Sequence, residues 1–133
     1  MQRVIGLIRK KWKETHILVR GDSAYSREEI MKFCEEQAGV DYVLALATNS
    51  QLKLRASDII DKAKSDYEQR LEPITKLMET LFSPKEDLEE VGQLVPESTW
   101  YRSLCYKIQE PWSRSRRVVT KVYHGCHGST IRH

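Results

Sequence analysis

The chain of 133 residues predicts an α/β fold, with two adjacent parallel strands flanked by helices and a C-terminal β-hairpin after them. Two short apolar runs, "HILV" at 16–19 and "VDYVLALA" at 40–47, are separated by a segment of helical periodicity. That alternation suits a right-handed crossover between parallel strands. At Thr99 the period changes from helical to alternating, and "TWYRSLCYKI" and "RRVVTKVYH" read as two strands joined by "QEPWSRS".

Composition sets outer bounds. With 40% hydrophobic and 31% charged residues the composition is ordinary for a soluble cytoplasmic protein, and the length suits one compact domain and is too short for two. A net charge of +3 permits a polyanionic partner without requiring one. Cys34, Cys105 and Cys126 are odd in number and widely spaced, as reduced thiols of a cytoplasmic protein would be. The opening "MQRVIGLIRKKWKET" has too short an apolar stretch for a signal peptide, and nothing later is long enough to span a membrane.

Taken in order, Val4, Ile5, Ile8 and Trp12 fall on one face of a first amphipathic helix. A strand over 16–21 runs into Asp22. A second helix over 27–38 has clear start signals: Ser26 and Glu29 form a capping box, Tyr25 and Ile30 stand at hydrophobic-staple spacing, and Glu28 and Glu29 favour the helix dipole. Its stripe is Ile30, Phe33, Cys34 and Ala38, with Gly39 as the stop. The strand over 41–47 reads as buried on both faces. Asn49 and Ser50 turn the chain into a longer helix carrying Ala56, Ile59, Ile60, Ala63, Tyr67 and Leu71, which Pro73 ends or kinks. A short helix can start at Ser83-Pro84.

Several side chains could carry chemistry. Asp22 sits where ligands and metals gather in α/β sheets, at the tip of a strand, yet aspartate is also a common turn residue. The letters Arg20-Gly21-Asp22 spell an adhesion tripeptide, which their place between a core strand and a helix argues against. His124, Cys126 and His127, with His133 beyond, are types that bind zinc, but no second knuckle accompanies them and a solvated, frayed end is the plainer reading. In "WSRSRRVVTK", Arg114 and Arg116 share one strand face while Arg117, Val119 and Lys121 share the other. Beside Trp112 these cations suit a phosphate backbone with one unstacked base, or else they protect a solvated edge strand.

Two blocks of the chain resemble a known family. "ILVRGDSAYSREEIMKFCEEQAGVDYVLALATN" is similar to the central block of DDE-domain transposases of bacterial insertion sequences (the group 1 type), and "YKIQEPWSRSRRVVTKVYH" to a later basic segment of the same enzymes. Departures are small: Ala24 and Ala45 stand where glycine is common, and Glu110-Pro111 replace a serine before Trp112.

The resemblance implies a partial RNase H-like fold and a catalytic triad of acids in which Asp22 is the second. The first acid is expected before Met1 and the glutamate beyond His133, so residues 1–133 are expected to be a central fragment, inactive alone. Within it, 1–68 would be core, 69–98 a helical connection, 99–124 a hairpin of the family's β-rich insertion, and 125–133 a frayed tail. The implied cofactor is magnesium or manganese held partly by Asp22, in the complete enzyme rather than stably by this fragment. The implied partners are DNA (transposon ends and target) and other transposase subunits, with no membrane and no small-molecule substrate. DNA contacts are expected from Trp112, Arg114, Arg116, Arg117 and Lys121, in a bacterial, nucleoid-associated setting. The competing class is a non-catalytic module that binds DNA or an intact transposase. A phosphotransfer domain with Asp22 as acceptor is a poorer third, since its late lysine would have to be Lys121, in a hairpin.

Overall fold

Strands β1 (Ile17–Gly21) and β2 (Val40–Leu44) pair in parallel, with Ile17 opposite Val40, Val19 opposite Tyr42 and Gly21 opposite Leu44. In this computed structural model, residues 1–81, 88–108, 110 and 112–133 are described, the side chains of 88–90 excepted. The helix start expected at Ser83-Pro84 lies outside them. The chain divides into two compact units: Met1–Ala47 with Cys105–Arg116, and Thr48–Leu104 with Arg117–His133.

In the first unit, helices α1 (Gln2–Lys11) and α2 (Glu28–Glu36) accompany the β1–β2 pair. The core gathers Ile5, Val19, Cys34 and Val40, with Ile17, Ile30, Phe33 and Tyr42 packed against it. The expectation that the second strand is buried on both faces does not hold, because its Val43 is 60% exposed, and Leu18 of β1 is 54% exposed as well. One face of the pair is covered and the other is open. The α1 stripe is also narrower than its spacing implied, since Ile5 is buried whereas Val4 and Trp12 are exposed.

The entry to α2 differs from the expected capping box. A 3-10 turn over Ser23–Tyr25 takes up Ser26, whose N–H bonds to the Ser23 carbonyl at 3.2 Å, and α2 then starts from Arg27 without a side-chain cap. Arg9 ties the unit's loops together. Its guanidinium donates to the carbonyls of Lys13 and Thr15 after α1, and to those of Ala38 (2.8 Å) and Gly39 (3.2 Å) after α2. Gly39 has φ of +66°, a conformation in which glycine is unstrained.

In the second unit, Asn49 Oδ1 accepts the Leu52 N–H at 2.9 Å and caps α3 (Ser50–Arg55). Helix α4 (Ser57–Leu81) continues through Pro73, which therefore does not end it. Proline removes one internal hydrogen bond, and the turns on both sides hold the helix. Ala56, Ile59 and Ala63 pack with Val122, and Tyr67 donates to the Gly92 carbonyl of α5 (Leu88–Leu94) at 2.8 Å. The expected hairpin is a three-stranded sheet in the order β3 (Ser98–Tyr106), β4 (Arg116–Gly125), β5 (Gly128–Arg132). The tail expected to fray is thus a strand, antiparallel to β4 across the two-residue turn Cys126-His127, with Gly128 at φ of +96° completing the reversal.

Candidate functional site

Asp22 follows the last residue of β1, at the C-terminal edge of the parallel pair, and is exposed. Its Oδ1 accepts the Ala24 N–H at 3.0 Å, which starts the 3-10 turn. Arg27 Nε donates back to the Ala24 carbonyl at 3.1 Å, so the acid is held by a hydrogen-bonded path leading into α2. Gly21 is needed beside it: a Cβ there would meet Leu44 Cδ2 and Tyr25 Cβ at 3.0 Å. Asp22 therefore acts as a turn residue and also leaves a carboxylate at the strand tip. A cleft of about 460 Å³ in this unit lies at the opposite end of the strands beside His16, Asp41, Tyr42 and Arg114 and does not include Asp22.

The basic segment separates into two roles. Arg116 has a side chain only 5% exposed. Its Nε and Nη2 reach both oxygens of Glu35 at 2.8 and 3.1 Å, and its Nη1 reaches Glu28 Oε2 at 2.7 Å. Ser113 Oγ bonds Glu28 as well, Arg114 Nη2 lies 2.6 Å from Glu35, and Tyr42 donates to Glu35 at 2.7 Å. The hydrogen bonds of Arg116, then of Ser113, hold the Glu28 carboxyl at about 2. For Glu35, burial pushes upward, but Arg116, Tyr42 and Arg114 outweigh it and the carboxyl sits below its ordinary value. Burial, reinforced by Glu35, raises the Tyr42 hydroxyl to about 12.

Arg116, expected among the DNA contacts, has all three guanidinium nitrogens on carboxylates and its side chain turned from solvent. Trp112 is likewise buried (4% exposed), with the Arg116 guanidinium 5.3 Å from its ring and Tyr106 set edgewise. Arg117 is exposed, and its Nε donates to Ser103 at 2.9 Å. Lys121 is half-buried over tyrosine rings. Both lie on the outward face of β4, opposite Val118 and Val122, as strand alternation requires.

A family model described as transposase DDE domain group 1 matches residues 1–133. The chain belongs to that family. No curated protein and no solved structure matches it. Membership in the transposase DDE domain family implies DNA as the partner and, in general, a divalent metal ion. An exposed aspartate at a strand tip suits one oxygen ligand of a hard cation. Among the described residues no group of three or more His, Cys, Asp or Glu side chains could hold a metal ion. No described helix is long and apolar enough to cross a membrane.

The C-terminal histidines belong to ordered structure. His124 Nδ1 lies 2.6 Å from Ser129 Oγ with its ring edgewise to Tyr67, and His133 Nδ1 lies 2.8 Å from Thr120 Oγ1. Sequence reasoning missed Glu28 and Glu35 as partners of Arg116. Their seven-residue spacing puts them on one face of α2, which was a usable signal, but nothing local named the arginine they face.

Proposed function

We propose that this chain contributes to metal-dependent DNA strand cleavage and strand transfer at transposon ends, with Asp22 as one of the acids that hold the ions. The observation that carries this reading is the exposed carboxylate at the C-terminal tip of β1, fixed by the Ala24 N–H and by the turn into α2. When bound, such ions activate the water or 3′-hydroxyl nucleophile and stabilise the leaving oxygen. Asp22 supplies a negatively charged oxygen from a backbone that is already ordered. Arg117 and Lys121 contact phosphates, a sequence-independent contribution to affinity. Arg114 is 60% exposed but has its charge offset by Glu35, so it adds less.

The test has two arms. In a full-length family member carrying all its acids, Asp22→Asn at the equivalent position should abolish nicking of supercoiled plasmid in magnesium or manganese and leave DNA binding intact. Residues 1–133 alone should leave the plasmid supercoiled, because one carboxylate cannot hold the pair of ions. Nicking by the wild-type chain that disappears in its own Asp22→Asn form would overturn the claim that further acids are required. Cleavage by the full-length Asn variant would remove Asp22 from the metal site.

A further inference from the structure

The outward face of the β3–β4–β5 sheet carries a pattern that phosphate contacts alone do not explain. Alternation along the strands places Tyr101 and Ser103 of β3, Arg117, Val119, Lys121 and Tyr123 of β4, and Thr130 and Arg132 of β5 on it. The contacts agree: Arg117 bonds Ser103, Lys121 Nζ lies 5.9 Å from the Tyr101 ring and 5.3 Å from the Tyr123 ring, and Arg132 lies 5.6 Å from the Tyr123 ring. No Asp or Glu occupies this face of the three strands.

Lys121 and Arg132 are moreover direct cross-strand partners. Like charges so placed destabilise a sheet unless an opposite charge relieves them. The π faces of the tyrosines hold the two cations in place but leave the net charge unbalanced. A polyanion threaded between them would balance it.

We infer that this face binds an unpaired DNA strand, its phosphates on Arg117, Lys121 and Arg132 and its bases against Tyr101 and Tyr123. The inference rests on the reading of the chain as DNA-binding and adds which form of DNA the sheet takes. Tyr101 is 63% exposed, so its ring is open to a planar ligand. Duplex bases are already stacked on each other, whereas an unpaired base can exchange water for the tyrosine ring, and flat aromatic sheets with cations are suited to that exchange.

The experiment is fluorescence anisotropy of residues 1–133 with a labelled oligothymidylate of about 20 nucleotides and with a duplex of equal length, at several salt concentrations. The single strand should bind more tightly. Tyr101→Leu and Tyr123→Leu should each weaken single-strand binding by about fivefold or more and leave duplex binding unchanged. Tyr101→Phe and Tyr123→Phe keep the ring and should retain affinity, which separates stacking from a folding defect. Lys121→Ala and Arg132→Ala should each reduce the single-strand salt slope by about 0.7. Duplex binding equal to or tighter than single-strand binding, with the leucine variants unchanged, would overturn this inference while the DNA-binding reading stands. Binding to neither oligonucleotide would overturn both.

Discussion

The guanidinium of Arg116 grips Glu35 in a two-pronged ion pair, Nε to Oε1 at 2.8 Å and Nη2 to Oε2 at 3.1 Å. The pair is buried, and the remaining guanidinium nitrogen, Nη1, donates to Glu28. Buried pairs of this kind contribute little net stability over an apolar substitute, but removing one partner strands the other charge. Arg116→Ala should accordingly destabilise the first unit by about 3–5 kcal/mol in urea unfolding. Arg116→Lys keeps the charge but loses the fork and should fall in between.

Acid should expose the same network. The Glu28 carboxyl lies at about 2 in the folded chain against an ordinary value of 4.5, and Glu35 is also depressed. A depressed carboxyl gives stability that is complete above its unfolded value and is lost as pH falls through the folded one. The melting temperature should therefore hold down to about pH 5 and decline toward pH 2. Glu28→Gln should make that decline shallower, and a curve identical to wild type would show that Glu28 is not the titrating group.

Asp22→Asn should leave folding nearly unaffected, within about 0.5 kcal/mol, because asparagine still accepts the Ala24 N–H. Asp22→Ala loses that acceptor and should cost about 1 kcal/mol. Equal costs for the two variants in chemical denaturation would mean that the Ala24 bond contributes nothing.

Gly21 controls the placement of Asp22. A valine there must displace Leu44 or Tyr25, at a cost of about 1–3 kcal/mol, and should shift the 3-10 turn. Hydrogen exchange of the Ala24 amide reports it: Gly21→Val should speed exchange at Ala24 while leaving the Val19 amide protected.

The parallel pair was legible because two apolar runs flank a helix with a strong acidic first turn, and that consistency left one topology. The third strand was not, since "GSTIR" offers a single large apolar residue, Ile131, and its pairing with Val122 comes from β4 rather than from its own pattern. Alternation in "RSRRVVTK" correctly separated Arg116 from Arg117 and Lys121. It could not say which face was inward, because that depended on Ala56, Ile59 and Ala63, which meet Val122, and it could not name the partners of Arg116, which lie more than eighty residues earlier. Asp22 was legible in place but ambiguous in purpose, and geometry shows why: the same carboxylate serves a turn.

Arg9 has a consequence for how this sequence can drift. It recognises Lys13, Thr15 and Ala38 only through their main-chain oxygens, so substitution at those positions leaves what the arginine reads unchanged. Gly39 is the exception, held by its backbone angle. Variation should accumulate freely at the three read positions and stop at the reader, which makes Arg9 a fixed point whose neighbours in space carry no mark of it in their own letters.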